Sequence, residues 1–390
     1  MGGGKIRPDR FLRFLRDTVP HEAEVLYIRL RDASSRTLSR HEYPHLVFSS
    51  SLEINGAKRF DYVILDEVLP YCDDAYSTLK RMRELCRDDG KLIISGVPKA
   101  TIFNTLIRLI KKKRGGPRNW IPKELFENLL YLASFSPRPM IHGLIIADAV
   151  EIKKKREYSY SIIIPCFNEE ENIGRCIERV PAFKRDYEII VVNDGSTDHT
   201  AQAVRKIMGK NRRVRLIDYK PNRGKGYATI QGLNAAKKDV LMILDADMSV
   251  RPEDLTLFLE PFESQNAEFV NGTRMVYPLG DDAMRALHIF GNKIFSMIFS
   301  YVLNQNVTDT LCGTKCLFRK DYARIRMCDT AWPDFDLLFG AAEHNLKIVE
   351  MPIWYQNREY GKSKMRTLKH GWMLLKAAIR GFVRLRLTAF

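Results

Sequence analysis

The sequence lacks paired cysteines, an apolar leader and long uncharged apolar runs. Its seven cysteines are an odd number with no CxxC pair and no histidine cluster at metal-binding spacing, which predicts reduced thiols in a cytosolic chain. The first residues, MGGGKIRPDRFLRFLR, lack the apolar core of a signal peptide. No uncharged apolar run reaches the roughly 18 residues of a membrane-spanning helix. These absences favour a cytoplasmic protein without a membrane span of its own.

Acidic residues are fewer than basic residues. Lys and Arg number 63 against 47 Asp and Glu, a formal net charge of +16, which indicates an anionic partner: nucleic acid, a phosphorylated small molecule or an anionic membrane surface. The basic residues are scattered, the aromatic residues lie in apolar runs, and no nucleic-acid-binding motif occurs. We therefore expect no nucleic-acid partner. With 390 residues, 45% of them hydrophobic, the chain is long enough for two domains.

A basic run at residues 153–156 separates two stretches of similar pattern. Before it, the apolar runs AEVLYIRL, HLVF, FDYVILD, KLIIS and MIHGLI alternate with helical patterns over residues 73–86, 101–111 and 122–132. After it, a fresh apolar run begins at Ser161. The alternation predicts parallel α/β layers in both parts. We place the first domain over residues 1–155.

Part of this first domain, residues 58–96, resembles the second half of a class I S-adenosylmethionine-dependent methyltransferase; it reads FDYVILDEVLPYCDDAYSTLKRMRELCRDDGKLIIS from Phe60. The resemblance implies a glycine-rich turn after the first strand, where glycine lets the backbone approach the cofactor. The chain has AEVLYIRLRDASS there instead. Too few residues separate Leu30 from His45 for the helix, strand and helix that normally follow. We expect a shortened, inactive relative, with an active methyltransferase as the alternative.

Three polar turns follow predicted strands of the second domain, and ligands of open α/β sheets bind beyond such strand ends. After the first strand, PCFNEE from Pro165 offers carbonyls and the Glu169 carboxylate to a ribose or base, or caps a helix. After the second, Asp194 either accepts from a base imide or belongs to a simple turn. The run NRGKG around Lys225 starts a helix with backbone N–H groups and a cation, which suits a phosphate.

A further strand, residues 240–244, runs directly into Asp245 and Asp247. Alternation along an extended chain puts the two carboxylates on the same side. They repel each other unless a cation neutralises them, and hard divalent cations prefer oxygen ligands. The pattern predicts a divalent metal site that also binds a pyrophosphate. The alternative is a solvated turn in which Asp247 caps the next segment.

Five ordered motifs, SIIIPCFNEE, VVNDGSTD, NRGKGYA, LDADMS and DTLCGTKCLFR, resemble those of the family 2 glycosyltransferases. The likeness covers about residues 160–366 and is greatest to the dolichyl-phosphate mannose synthase and polyprenyl-phosphate glycosyltransferase branch. It implies a Rossmann-like GT-A fold over residues 156–366, an inverting reaction and Mg²⁺ or Mn²⁺ on Asp245 and Asp247. It also implies nucleotide contacts through Pro165, Phe167, Glu169 and Asp194.

Several basic residues are candidates for contact with the phosphates of both substrates. The resemblance places Arg274, Arg358, Lys362 and Lys364 near the phosphates, and several cations around the transferred group suit a donor and an acceptor that are both phosphorylated. We take Arg358 as catalytic, and Arg274 and Lys364 as donor contacts together with Lys225. Ordinary surface charge is the alternative for each of them.

Several acidic residues are candidates for roles toward the acceptor only. The resemblance gives Asp309 or Lys315 a place in an acceptor-facing loop and puts the general base of many relatives at Asp334 or Asp336; we take Asp336 as catalytic. A lipid phosphate is already ionised at neutral pH and needs no base, whereas a sugar hydroxyl does. The importance of Asp336 therefore distinguishes the two acceptors.

The C-terminal segment, residues 367–390, is predicted to form a basic amphipathic helix. Lys376, Arg380 and Arg384 make an i, i+4 stripe opposite an apolar side of Trp372, Leu375, Ile379, Phe382 and Val383. Such a helix either lies on an anionic bilayer surface or docks on its own domain. A second apolar helix, over residues 284–303, is predicted as core or as membrane contact.

These patterns predict an inverting, metal-dependent transferase. It would move a sugar from a nucleotide-diphosphate sugar to a polyprenyl or dolichyl phosphate, held peripherally at the cytoplasmic face of a membrane. The alternatives are a family 2 transferase that acts on a glycan hydroxyl, and a methyltransferase.

Overall fold

The computed structural model describes residues 8–30, 42–54, 58–96, 119, 121, 123–140, 144–152, 154–277, 286–327, 332–356 and 367–387. The chain divides into two compact units, Met1–Lys153 and Lys154–Phe390. The division falls within the basic run that we interpret as a linker. The helix predicted over residues 101–111 lies outside the described residues.

The first unit is a six-stranded sheet with helices. Its strands are β1 (Val25–Ile28), β2 (Leu46–Ser49), β3 (Phe60–Leu65), β4 (Cys86–Ile94), β5 (Phe135–Pro137) and β6 (Ile145–Ala149). Its described helices are α1 (Pro8–Thr18), α2 (Ala75–Leu85) and α3 (Lys123–Leu132). Asp74 caps α2 by accepting a hydrogen bond from Ser77 N at 3.0 Å, which satisfies a backbone donor that the helix leaves unpaired.

The strand order is β2-β1-β3-β4-β6-β5. The first four strands are parallel, as the alternation predicts, but β6 is antiparallel to β4 and β5 is antiparallel to β6. The prediction was wrong for these last two strands. The chain between Pro137 and Ile145 is too short for the crossover that would make β5 and β6 parallel neighbours. The core beneath the sheet includes Leu15, Tyr27 and Ile64.

A buried side-chain cluster lies at the carboxyl end of β3. Asp66 accepts hydrogen bonds from Tyr27 Oη and from Ser95 Oγ, each at 2.5 Å, and Arg29 Nη1 lies 3.4 Å from its carboxylate. Burial, followed by the charge of Asp66, raises the pKa of Tyr27. The acid at this strand end is therefore held by the unit's own side chains.

The second unit is built on a seven-stranded sheet. Its strands are β7 (Tyr160–Cys166), β8 (Tyr187–Asp194), β9 (Val214–Tyr219), β10 (Val240–Ile243), β11 (Phe269–Thr273), β12 (Lys315–Phe318) and β13 (Ile348–Pro352). Its helices are α4 (Ile173–Glu178), α5 (Thr200–Met208), α6 (Lys225–Ala235), a 3₁₀ helix (Pro252–Phe258), α7 (Leu259–Glu263), α8 (Ala286–Leu303), α9 (Arg319–Tyr322), α10 (Pro333–Glu343) and α11 (Thr367–Phe382), which a π-helical turn (Val383–Leu387) extends.

The strand order of this sheet is β13-β11-β12-β10-β7-β8-β9. All neighbours are parallel except β12, which runs antiparallel between β10 and β11. Strands β7, β8 and β10 are buried along their whole length, as expected of parallel strands covered on both faces. Their carboxyl ends meet at one edge, and the chain enters β12 from that same edge. Strands β12 and β13 were not predicted from the sequence.

Helix α11 packs on its own domain. Leu374, Ala377 and Ala378 are buried in a core that also contains Phe299 of α8 and Phe339 of α10, and Arg384 Nη2 bonds Glu343 Oε2 at 2.6 Å. The docked alternative for residues 367–390 is thus realised on one face of the helix. Among the described residues, no helix is long and apolar enough to cross a membrane.

Candidate active site

A cavity of about 460 Å³ opens at the carboxyl edge of β7, β8 and β10. Residues from four separate segments of the chain line it. They include seven of the predicted site residues: Pro165, Phe167, Glu169, Asp194, Lys225, Asp245 and Asp247. The structure therefore brings the predicted nucleotide contacts and the predicted metal ligands to one place, while their chemical roles remain predictions.

The turns after β7 and β8 hold each other. Asn168 adopts a left-handed backbone with φ of 55°, its Oδ1 accepts from Thr197 N at 2.9 Å, and its N donates to Ser196 Oγ at 2.9 Å. Glu169 N donates to Thr200 Oγ1 at 2.9 Å. These bonds fix the backbone on which Phe167 and Glu169 face the cavity.

Asp194 anchors the loop that precedes α6. Its Oδ1 accepts from Tyr219 Oη and Arg223 N, and its Oδ2 accepts from Asn222 Nδ2 and Gly224 N, at 2.8–2.9 Å. A carboxylate has about four acceptor sites, so three donors of this loop and Tyr219 of β9 together occupy all of them. The predicted bond to a nucleotide base would require one of these donors to leave. The sequence did not reveal that Asp194 anchors this loop. The signal was the polar run NRG at residues 222–224, which supplies three of the four donors.

Lys225 is the first residue of α6, after Gly224 with φ of 94°. Its Nζ lies 2.6 Å from Asp245 Oδ1. Desolvation lowers the pKa of Lys225, but Asp245, Asp334 and Asp247 raise it further, so the pKa lies above its ordinary value. The lysine predicted to bind a phosphate is thus charged and paired with the first of the two aspartates.

Asp245 and Asp247 follow β10 on either side of Ala246, and both line the cavity. Asp247 Oδ1 accepts from Ser249 N at 3.0 Å, across Met248, which has φ of 54°. Such a left-handed backbone at a non-glycine residue is uncommon and clusters at functional sites. The turn thus holds one carboxylate in place and leaves the other beside Lys225.

The two carboxylates suit a divalent cation. Both are hard oxygen donors on one cavity wall, which Mg²⁺ and Mn²⁺ prefer, and Gly313 leaves room beside them: a Cβ at position 313 would stand 2.6 Å from Asp245 Oδ2. Within the described residues, no group of three or more His, Cys, Asp and Glu side chains is arranged to hold a metal. A cation here would therefore need further oxygens from its ligand, as Mg²⁺ does when it binds phosphates.

Buried ion pairs hold both sides of the loop that contains Gly313. Arg274 Nε and Nη2 donate to Asp309 at 2.6 and 2.7 Å, and Lys315 Nζ donates to Asp334 Oδ1 at 2.9 Å and to the carbonyl of Cys312. Burial raises the pKa of Asp309, but Arg274 outweighs it and lowers the pKa overall. Arg274 is predicted to contact phosphate; its guanidinium is bound to Asp309 and is not among the residues that line the cavity, so this role stays a prediction.

The two candidate bases on α10 have different surroundings. Asp334 bonds Lys315 and lies close enough to Lys225 to raise its pKa. Asp336 is 2% exposed and lies 3.7 Å from Arg384 Nη1. Residues two apart on a helix point about 200° apart, so only one acid faces the cavity side. Asp334 is the acid on the side of Lys225, and the catalytic role of Asp336 stays a prediction.

Glu350 on β13 was missed at the sequence level. Its carboxylate is buried and accepts from Thr308 N, Thr308 Oγ1, Asp309 N and Asn271 Nδ2 at 2.7–3.2 Å. Burial raises its pKa to about 7 despite these bonds, which lower it. The signal was a lone acid inside the apolar run KIVEMPI. Glu350 fixes the start of the loop that reaches Gly313.

The predicted phosphate contacts Arg358, Lys362 and Lys364 lie outside the described residues. Their roles stay predictions.

Residues 161–326 match the sequence model of a family described as "Glycosyl transferase family 2". A low-salt glycan biosynthesis hexosyltransferase of Haloferax volcanii is 28% identical over 218 residues, which are 54% of this chain and 51% of the relative. A dolichyl-phosphate beta-glucosyltransferase of Trichomonas vaginalis is 28% identical over 228 residues, 53% of this chain and 66% of the relative. A glucosyl-3-phosphoglycerate synthase of Mycobacterium tuberculosis, crystallised with Mn²⁺, UDP and glucosyl-3-phosphoglycerate, aligns with a TM-score of 0.43 and 18% identity over 58% of this chain and 80% of that chain.

The chain therefore carries a glycosyltransferase domain. The part that matches family 2, residues 161–326, contains the cavity with Asp194, Lys225, Asp245 and Asp247. The chain spans about half to two thirds of the length of these curated relatives.

Proposed function

We propose that the protein is an inverting, metal-dependent glycosyltransferase that moves a sugar from a nucleoside-diphosphate donor to a lipid phosphate of the polyprenyl or dolichyl class. The observation that carries this proposal is the pair Asp245 and Asp247 on the wall of one cavity with Lys225. Two carboxylates beside a cation suit a diphosphate that arrives with a divalent metal ion.

On the donor side, Asp245 and Asp247 would hold Mg²⁺ or Mn²⁺. The bound cation would neutralise the negative charge that develops on the leaving diphosphate. Pro165 and Phe167 form the part of the cavity where a nucleoside would lie, and Lys225 adds a positive charge for the phosphates. Opposite charge placed where negative charge develops stabilises the transition state.

On the acceptor side, the two acids on α10 favour a phosphate. Asp334 is bonded to Lys315, and Asp336 is buried near Arg384. Neither carboxylate is therefore arranged as a general base for a sugar hydroxyl, whereas an ionised phosphate oxygen attacks without one. One relative named above is a dolichyl-phosphate transferase. The second candidate, transfer to a glycan hydroxyl, agrees with the name of the other relative and requires Asp334 to leave Lys315.

A lipid acceptor requires contact with a membrane, and the helices α8 and α11 supply a suitable surface. We define the apolar surface as Ile294, Met297 and Tyr301 of α8 with Trp372, Leu375, Ile379 and Phe382 of α11, all exposed. Lys376 lies over the Trp372 ring, 5.6 Å from its centroid, and neither helix contains Asp or Glu. Exposed apolar side chains flanked by cations suit an anionic bilayer. We propose peripheral binding at the cytoplasmic face.

The test of the proposed function is a transfer assay with UDP- and GDP-sugars, Mn²⁺ and a polyprenyl phosphate. Wild-type protein should form a lipid-linked sugar and lose turnover with a chelator. Asp247→Ala should abolish turnover, while Asp186→Ala, which changes an exposed surface acid, should not. Activity that persists in the chelator contradicts the metal; transfer to soluble saccharides but not to the lipid phosphate contradicts the acceptor.

For the first unit, we propose a shortened relative of the class I methyltransferases without methyl transfer. Its four parallel strands support the relationship, and the cluster of Tyr27, Ser95 and Arg29 around Asp66 supports the loss of activity. Calorimetry with S-adenosylmethionine tests this proposal. No heat of binding is expected, and saturable binding would favour a methyltransferase.

A further inference from the structure

The contact between Lys225 and Asp245 raises the question of what the ammonium does when a divalent cation binds. Its Nζ lies 2.6 Å from Asp245 Oδ1, in direct contact with that carboxylate oxygen. A metal ion bound to the same oxygen would lie close to this ammonium. Two cations cannot share this position, because they repel each other.

The backbone that carries Lys225 cannot easily move away. Gly224 N and Arg223 N, just before it, both donate to the buried carboxylate of Asp194. The side chain itself is 55% exposed, so its four-carbon stem can rotate while the backbone stays fixed. Movement of the ammonium is therefore a side-chain event.

The charges around the ammonium favour its present position. Asp245, Asp334 and Asp247 all act on Lys225 and together outweigh its desolvation. Without another anion nearby, a shift of the ammonium away from Asp245 would leave these carboxylates less neutralised. A diphosphate in the cavity would offer the ammonium a new anionic partner at the start of α6, where backbone N–H groups also favour phosphate.

We propose that Lys225 is the resident counter-cation of Asp245 and that it makes binding of the divalent cation depend on the nucleoside diphosphate. This inference rests on the proposed function. The lysine excludes the metal ion from the cavity until a nucleoside diphosphate binds. The ammonium moves away from Asp245 when the diphosphate accepts its hydrogen bonds, so the metal ion and the donor bind together.

The experiment measures Mn²⁺ binding to the full chain by calorimetry and by the electron paramagnetic resonance signal of free Mn²⁺, with and without UDP or GDP. Lys225→Met, which keeps the stem and removes the charge, is compared with Lys225→Arg, which keeps the charge. The control is Lys238→Met, which removes a different ion-paired lysine, bonded to Asp186. Thermal melting curves check that each variant is folded.

Without nucleotide, Lys225→Met should bind Mn²⁺ about tenfold more tightly than wild type, within the usual range of coupling between two ligands. Lys225→Arg and Lys238→Met should match wild type. The gain in Mn²⁺ affinity on adding UDP or GDP should be smaller for Lys225→Met than for wild type.

Mn²⁺ affinity of folded Lys225→Met that equals the wild-type value, or that remains too weak to measure without nucleotide, would overturn the inference while leaving the proposed function intact. If wild type and all variants fail to bind Mn²⁺ even with both nucleotides, the metal-dependent function itself fails.

Discussion

Gly313 lies directly against Asp245: a Cβ added at position 313 would stand 2.6 Å from Asp245 Oδ2 and 3.0 Å from its Cγ. The carboxylate proposed to hold the metal thus borders the loop assigned to the acceptor. The two halves of the site meet at a position where a methyl group has no room.

Gly313→Ala is expected to lower kcat/KM by about 100-fold, the cost of displacing a catalytic group by about 1 Å. The added methyl group must push the carboxylate or the loop aside. Steady-state transfer assays with Mn²⁺ measure the effect. Gly174→Ala is the control, since its nearest neighbour, Ile207 Cδ1, lies 3.9 Å from the added Cβ. Equal activity of the two variants would show that the contact with Asp245 is unimportant.

Asp336→Asn is expected to retain transfer to a polyprenyl phosphate, because its carboxylate is buried near Arg384. Loss of a general base typically lowers the rate by about 10²–10⁴-fold. Turnover is measured at saturating donor and acceptor, well below the melting temperature. A decrease of that size would identify Asp336 as the base and favour a sugar hydroxyl as acceptor.

Asp334→Asn should behave differently from Asp336→Asn. It leaves the fully buried Lys315 ammonium without its carboxylate partner, which we expect to cost about 3–5 kcal/mol of unfolding free energy. Urea denaturation measures this loss. A variant as stable as wild type would show that Lys315 does not depend on the Asp334 carboxylate.

Glu350 should make stability depend on pH. Its pKa is about 7 in the folded protein against an ordinary value of 4.5, so between these values the folded chain holds a proton that the unfolded chain has released. Its stabilising contribution is fully present below pH 4.5 and is lost as the pH rises through 7, by about 3 kcal/mol.

The comparison is with Glu350→Gln, which cannot ionise. The unfolding free energy of wild type, relative to this variant, should fall between pH 5 and pH 7.5, as measured by urea denaturation. Exposed Glu171 provides the control variant Glu171→Gln. A constant difference between wild type and Glu350→Gln would mean that the pKa of Glu350 is not raised.

Trp372→Glu and Ile379→Glu should weaken binding to vesicles of phosphatidylglycerol and phosphatidylcholine. Their side chains are 60% and 56% exposed, so the fold should tolerate the change. Burial of one large apolar side chain contributes about 1.5–3 kcal/mol, which predicts at least a tenfold loss in a sedimentation assay. Tyr131→Glu, at an exposed aromatic residue in the other unit, is the control. Unchanged binding would exclude the apolar surface from membrane contact.

The grouping of the strand-end residues around one cavity could be predicted because its signal is local. An apolar run followed by Asp245 and Asp247 carries its signal within a few residues, and the carboxyl ends of parallel strands meet at one edge. The α/β organisation of both units follows from the same local periodicity.

Long-range pairing could not be predicted in this way. The ion pair of Arg274 with Asp309 could not be predicted, because Asp309 is 35 residues away and lies outside any local pattern. The choice between Asp334 and Asp336 depended on which face of α10 meets Arg384. Strand β12 was not predicted because it has only four residues, too few for a clear pattern.

The pairing of β12 with β10 determines which residue lies beside Asp245. Val240 pairs with Phe318 and Met242 with Cys316, and continuing the count three residues beyond the second pair brings Asp245 opposite Gly313. The pairing of β10 with β12 thus fixes the distance between Asp245, proposed to act on the donor side, and the Gly313 loop, proposed to face the acceptor. A deletion or insertion of one residue anywhere from 314 to 318 would slide the loop by about 3.4 Å and replace Gly313 with a bulkier neighbour beside Asp245. The number of residues in this stretch is therefore as tightly constrained as their identity.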